Sequence, residues 1–241
     1  MTITDTHMHI IPNVDDGSRS LEESVEMLRM SVAQGVGTII ATPHSWGIDN
    51  CGKAYMLAQY EKLKRAVEEQ NNLVQLHLGC EMLVDEDTVD DCIRKLNDGR
   101  YPTLAGSRFV LTEFDPYETP NDMEYCIECI VAARYIPVIA HAERYRRIAI
   151  SDINALKDIG AMVQINAYSI ANEQNSQTRR LANDLLSNRM VDFIGSDAHR
   201  LGHRPPAIED GAVAIIHFYS KEYAQKLMTS NPNAFFFEQQ L

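Results

Sequence analysis

The chain has 241 residues, 45% of them hydrophobic and 23% charged, the composition of an ordered globular protein and not of a disordered one. With 12 Gly and 9 Pro it is neither collagen-like nor of low complexity. A net charge of −12 argues against nonspecific binding to nucleic acid or anionic membranes, and carboxylates gathered around cations would produce such a surplus.

The first ten residues, MTITDTHMHI, contain neither a basic nor an apolar leader region, so no signal peptide is expected. Short apolar runs then alternate with helical patterns. The runs at 3–9, 38–42, 74–81, 110–113, 137–140, 162–166 and 193–196 predict seven strands, several apolar throughout, as parallel strands covered by helices are. Between them, residues 21–34, 55–70, 87–97, 122–134, 151–159, 178–188 and 208–219 predict helices. The first opens on the capping box Ser20-Leu-Glu-Glu23 and stops at Gly35. No apolar run approaches the ~20 residues of a membrane span. Strand–helix alternation repeated seven times in one domain implies an α/β fold with right-handed crossovers, either a closed barrel or an open doubly wound sheet.

Metal-ligand residue types stand at the strand ends. His7 and His9 end the first predicted strand, His44 follows the second, Glu81 ends the third and Glu113 the fourth. His141 follows the fifth, and Asp197 and His199 follow the seventh. With 8 His and 34 acidic residues among 241, chance rarely places one at six of seven strand ends. The C-terminal rim of parallel barrel strands is where active sites assemble. His7-Met-His9 puts two imidazoles on one side of a strand, their Cα atoms about 6.6 Å apart, and Asp197-Ala-His199 repeats that spacing. Glu81 and Glu113 end apolar runs, where a carboxylate is costly unless paired or metal-bound. His44 or His141 alone would equally suit a structural role. Asp15 and Asp16 precede Gly17 in the first loop, and sequence chemistry does not choose between them. Mixed His and carboxylate ligation without thiolates favours Mn, Fe or Zn over Ca, leaning to Mn or Fe. So many donors exceed the needs of two ions and point to three with bridging carboxylates. Arg144 and Arg204, just past His141 and His199, would bind an anionic substrate beside such a site.

Other chemistries lack their residues. Cys51, Cys80, Cys92, Cys126 and Cys129 are odd in number and without framework spacing, which fits a reducing cytoplasm. None has the Arg six positions on that a cysteine-based tyrosine phosphatase requires, and Cys126 and Cys129 lie in a helical pattern as buried or neutral thiols. There is no nucleophile elbow and no P-loop. Asp85-Glu-Asp87-Thr-Val89 matches the D-x-D-x-V of haloacid-dehalogenase-type phosphatases, but a helix starting near Asp87 explains these acids as first-turn dipole partners.

Taken together, D-T-H-M-H (5–9), V-D-D-G (14–17), T-P-H (42–44), G-C-E (79–81), T-E-F (112–114), I-A-H-A-E-R-Y (139–145), Q-I-N (164–166), G-S-D-A-H (195–199) and R-P-P (204–206) resemble the PHP (polymerase and histidinol phosphatase) superfamily almost end to end. The closest resemblance is to the bacterial manganese-dependent protein-tyrosine phosphatases of capsule and exopolysaccharide loci. It implies a distorted (β/α)7, TIM-barrel-like fold. It implies a trinuclear site on His7, His9, Asp16, His44, Glu81, Glu113, His141, Asp197 and His199, with Asp16 preferred to Asp15 and Glu81 bridging. The implied metal is Mn2+, with Fe, Co or Zn as alternatives, and Arg144 and Arg204 are the implied phosphate contacts. The implied substrate is the phosphotyrosine cluster of a cytoplasmic polysaccharide-assembly autokinase, dephosphorylated by a hydroxide held between metals without a phosphoenzyme. Family members often carry a basic residue just after the second-strand His, where this chain has Ser45-Trp46. Three alternatives are a small-molecule phosphatase acting on histidinol phosphate, an amidohydrolase-type enzyme cleaving C–N bonds, and a non-catalytic regulator whose metals only hold the fold.

Overall fold

In the computed structural model, residues 2–70, 73–171 and 176–238 are described. They form β1 (Ile3–Met8), α1 (Leu21–Ala33), β2 (Val36–Ala41), α2 (Ser45–Cys51), α3 (Lys53–Glu69), β3 (Gln75–Leu78) and β4 (Glu81–Leu83). Then come α4 (Val89–Asn97), β5 (Phe109–Glu113), α5 (Pro120–Ala132), β6 (Ile136–Ile139), α6 (Ile150–Asp158) and β7 (Met162–Asn166). The chain ends with α7 (Ala167–Ala171), α8 (Ser176–Ser187), β8 (Phe193–Gly195), α9 (Glu209–Phe218), α10 (Lys221–Gln225) and wide helical turns to Phe237. All named pairings are parallel, in two sheets ordered β1-β2-β3 and β4-β5-β6-β7-β8.

One expected strand is two. The run at 74–81 breaks at Gly79-Cys80, and its halves pair with different sheets, β3 with β2 and β4 with β5. A Cβ on Gly79 would stand 2.9 Å from Leu104 Cδ2 and 3.1 Å from Ile40 Cγ2, so any larger residue in the bend would have to push these side chains aside. Pairing is therefore divided between two sheets. Hydrogen bonds at the strand ends link them on both sides. Asp197 N donates to His7 O and His9 N to Ala198 O, both at 2.9 Å, and Glu81 N donates to Pro43 O at 3.0 Å.

The seven expected helices all form within a few residues of their predicted bounds, while α2, α7 and α10 were not anticipated. Ser20 caps α1 by accepting from Glu23 N at 3.2 Å, but Glu23 returns its bond to Arg19 N rather than to the cap residue. Gly35, at φ +86°, ends that turn.

Alternation along the strands sorts the core into two layers. Ile39, Ala41, Val110, Ile139 and Ile194 face the helices, in the larger cluster. Ile40, Phe109, Leu111, Val138, Ala140 and Phe193 face the other way, into a smaller cluster with Leu104 and Phe236. Phe236 stacks on Phe193 with ring centroids 4.7 Å apart and meets Phe109 edge-on at 5.4 Å. These are the first residues of β8 and β5, so the C-terminal segment closes that end of the strands. Followed to the opposite end, the same parity leads from Leu111 to Glu113, from Phe193 to Asp197 and from Ile40 to His44.

Candidate metal centre

All nine expected ligands meet at the strand ends. Glu81 lies at their middle, fully buried. Its Oε2 is 3.2 Å from His7 Nε2, 3.1 Å from His9 Nε2 and 3.0 Å from His44 Nδ1, and its Oε1 is 2.8 Å from His141 Nε2. Glu113 stands 3.4 Å from His44 Nδ1 and 3.5 Å from His141 Nε2. Asp197 Oδ1 is 3.6 and 3.5 Å from the Nε2 atoms of His7 and His9. Asp16 Oδ1 is 3.6 Å from His44 Nε2 and 3.5 Å from His199 Nε2.

These donors fall into three overlapping groups, each with ligand atoms within 4.8 Å of one another: His7-His9-Asp197, His44-Glu81-Glu113 and His9-Asp16-His44-His199. His141 stands outside the three and joins them through Glu81. The arrangement fits cations better than a hydrogen-bond network. Glu81 Oε2 has three ring nitrogens around it, yet no aligned hydrogen bond reaches it. His7 and His9 point Nε2 at Nε2 across 3.1 Å, where a proton serves one ring and leaves the other's lone pair aimed at the same point. Five imidazoles and four carboxylates suit a first-row divalent metal.

The donors perturb one another strongly. Burial and the charge of Glu81 push Glu113 up, but bonds from His141 and His44 outweigh them and hold it at about 2. Burial opposes charge on His141, but Glu113 and Glu81 raise it to about 10. Burial and the nearby His9 drive His199 down to about 2.

Backbone geometry aims the groups. His141 breaks the alternation of β6, and its left-handed turn (φ +33°) swings the ring inward. Asp197 (φ +53°) and Arg204 (φ +52°) are likewise left-handed. A Cβ on Gly195 would lie 2.6 Å from His7 Cβ, so β8 can run beside His7 only as glycine. Asp15 resolves the pair left open by the sequence. It lies behind His9 instead of among the donors, accepting from His9 Nδ1 at 2.7 Å, His44 N at 2.9 Å and Gly17 N at 2.9 Å.

Several residues of this layer escaped the residue-by-residue reading. Gln164 Oε1 accepts from His141 N at 2.8 Å and lies 3.4 Å from His7 Nδ1. Asn166 Nδ2 donates to Asp197 Oδ2 at 3.0 Å. Buried Glu143 accepts from Asn166 N at 3.1 Å and Ser169 Oγ at 2.6 Å. Their signal was Gln164-Ile-Asn166, a polar pair at the spacing of His7-Met-His9 on another apolar strand.

Both arginines reach the rim. Arg144 Nη1 donates to Asp197 Oδ2 at 2.9 Å and Arg204 Nη1 to the same atom at 2.8 Å. Arg204 Nη2 lies 2.8 Å from His199 Nε2. With Asn166, Tyr168, Ser169, Ser196, Pro205 and Ala207 they line a cavity of about 400 Å³. Ser45 Oγ accepts from Leu83 N at 3.1 Å, and Trp46 stacks on His44 with centroids 5.4 Å apart.

Cys92, Cys126 and the D-x-D-x-V stretch stand outside the donor groups. Burial pushes Cys92 up to about 11 and Cys126 up to about 12. Exposed Asp85 accepts from Asp87 N and Thr88 N at 3.0 and 2.8 Å, forming the turn into α4.

The fold and this rim define a class, an α/β protein with clustered candidate metal ligands at one end of parallel strands. The sequence profile of the capsular polysaccharide synthesis CpsB/CapC family matches residues 3–236, and the chain belongs to that family. It is 29% identical to the tyrosine-protein phosphatase CpsB of Streptococcus pneumoniae, over 98% of each chain. It is 33% identical to the tyrosine-protein phosphatase YwqE of Bacillus subtilis, over 83% of this chain and 78% of that one. Among solved structures, it superposes with a TM-score of 0.87 and 27% identity on one from a study of Bacillus subtilis YwqE and Streptococcus pneumoniae CpsB, described as metal-dependent tyrosine phosphatases, covering 97% of this chain and 94% of that one. A dihydropyrimidinase from Brevibacillus agri, at a TM-score of 0.60 and 12% identity, shares the fold alone.

Proposed function

We propose that this protein is a metal-dependent protein-tyrosine phosphatase. The observation that carries the reading is the pairing of a carboxylate–imidazole metal centre with two arginines that share one of its oxygens, Asp197 Oδ2. A phosphoryl group entering the cavity meets two guanidinium groups beside the cations, the arrangement that binds and stabilises a transferring phosphoryl.

His7, His9, Asp16, His44, Glu81, Glu113, His141, Asp197 and His199 would hold the metals, three Mn2+ ions by the donor count, with Fe, Co or Zn as alternatives. When bound, such ions lower the pKa of water and neutralise phosphoryl charge. The chain's residues do the rest. Arg144 and Arg204 exchange part of their contact with Asp197 for phosphoryl oxygens. Asp197, tied to Asn166, keeps both guanidinium groups aimed at the rim. Asp15 fixes the ring of His9. The hydrogen bonds joining the two sheets support reading them as one distorted (β/α)7 barrel with a divided third strand. No helix among the described residues is long and apolar enough to cross a membrane. Family membership in capsular polysaccharide synthesis supports a phosphotyrosyl autokinase of polysaccharide assembly as the partner, met in the cytoplasm, where five free thiols stay reduced.

The test is phosphate release from phosphotyrosyl peptides by protein loaded with Mn, Fe, Co, Zn or Mg, with histidinol phosphate as the competing substrate. Arg144→Ala and Arg204→Ala should each lower kcat/KM about 30- to 1000-fold while metal content stays at the wild-type level. Rates within about twofold of wild type at full metal occupancy would leave both arginines as surface charge.

A further inference from the structure

The cavity that the arginines line is also lined by Tyr168, Pro205 and Ala207, together with Ser169, Asn166 and Ser196. At about 400 Å³ it exceeds what a phosphoryl group needs and lies within the roughly 300–1,000 Å³ range of small-molecule pockets. Tyr168 is 47% exposed, a large aromatic side chain left half in solvent beside two cationic groups. We propose that Tyr168 is the specificity wall of this site: in the cavity it shares with Pro205, it receives the aromatic ring of an aryl phosphate whose phosphoryl group lies at Arg144 and Arg204. The assignment deepens the phosphatase reading and rests on it for the position of the phosphoryl group.

The segments that carry Tyr168 and Pro205 are each tied to the rest of the fold. Tyr168 stands on α7, whose position is fixed twice. Ser169 donates to buried Glu143, the residue before Arg144, so the Arg144 turn and the Tyr168 helix share one anchor. On its other side, Ala167 is packed so closely on α9 that a Cβ at Gly211 would lie 2.7 Å from Ala167 Cβ. The segment after Arg204 is held by Gln34, the residue that ends α1. Gln34 Nε2 donates to Pro206 O at 2.8 Å, and Gln34 Oε1 accepts from Ile208 N at 2.8 Å, bracketing the segment after Arg204. A ring bound between two anchored walls loses little further freedom from the protein side, which is how a pocket turns shape into selectivity. Stacking on Tyr168 favours a flat aryl group over an alkyl chain of the same charge. The wall thus separates phosphotyrosine from phosphoserine by the group that carries the phosphate, leaving recognition of the phosphate to the arginines.

The experiment compares phenylphosphonate with methylphosphonate, two non-hydrolysable probes differing only in the ring, titrated calorimetrically into Mn-loaded protein. Tyr168→Ala should weaken phenylphosphonate binding about 3- to 15-fold, the range of one aromatic contact, and shift methylphosphonate by less than about twofold. Tyr168→Phe should restore the preference, and Tyr168→Leu, which keeps bulk without a ring, should restore it only in part. The Leu variant also supplies the comparison should the Ala variant not fold. In parallel, KM for a phosphotyrosyl peptide should rise in Tyr168→Ala with kcat little changed. An unchanged phenyl-to-methyl ratio, equal loss of both probes, or a wild-type protein that does not distinguish them would overturn the assignment. Wild-type protein that prefers phenylphosphonate yet hydrolyses no phosphotyrosyl peptide would sink the phosphatase reading and leave the aryl wall standing.

Discussion

The two ends of the strands are built from the same alternation and do opposite work. At the N-terminal end, Phe109, Phe193 and Phe236 fill the interior with rings. At the C-terminal end, two residues further along from Leu111 stands Glu113, and four further from Phe193 stands Asp197. The apolar end supplies burial, roughly 25 cal/mol for each Å² of apolar surface removed from water. The polar end gives that gain up, burying carboxylates and imidazoles whose desolvation is favourable only with partners. Stability and chemistry are therefore separable along one strand, and substitutions at either end should be read by different instruments.

The largest effect should come at the polar end. Glu81→Gln removes the negative charge at the centre of four imidazoles and should cost about 10³-fold or more in kcat/KM, with metal content falling in the same samples. Near-normal metal content and turnover would end the idea of Glu81 as the shared ligand. At the apolar end, Phe236→Ala should lower unfolding free energy by about 3 kcal/mol, visible in urea or thermal melts. Turnover per folded molecule should stay within about twofold. A collapse of kcat in the folded variant would mean that the two ends are coupled. Asp15→Asn, one layer behind the donors, should lower metal affinity about 10- to 100-fold, as loss of a charged partner of a ligand His does. Equilibrium dialysis of wild type and variant checks this. The smallest effect belongs to the thiols. Replacing the five cysteines by Ala should leave activity intact in any variant that folds, while a chelator abolishes it. Loss of activity in a folded, metal-loaded Cys variant would reinstate a thiolate mechanism.

The polar end was the more legible in sequence, because a His or carboxylate closing an apolar run contradicts its surroundings and marks itself. What stayed hidden depended on close approach. The break before β4 turns on Gly79, whose need for glycine comes from Leu104 and Ile40, distant in sequence. Helix α2 was missed because Ser45-Trp-Gly-Ile-Asp-Asn-Cys51 is poor in helix formers. Its Gly47 is required where a Cβ would lie 2.6 Å from Val14 O, beneath the Asp15 loop. Asp15 and Asp16 are neighbours of one type. The bonds that Asp15 accepts from His9, Gly17 and His44 set which carboxylate faces the donors. The aryl wall was invisible for a similar reason: nothing local to Tyr168 says that α7 shares the Glu143 anchor with Arg144.

The left-handed residues at the rim carry a consequence for how this protein evolves. His141, Asp197 and Arg204 each hold a backbone conformation that strains an L-residue by about 1 kcal/mol and that glycine adopts without steric strain. Glycine at any of the three would relax the local backbone while deleting a donor or a cation. Breeding the protein for heat tolerance alone, with no screen for turnover, would therefore weigh a relaxed backbone at these positions against the contacts their side chains make. A histidine, an aspartate and an arginine at these three positions thus trade local backbone ease for the donors and the cation that the proposed site needs.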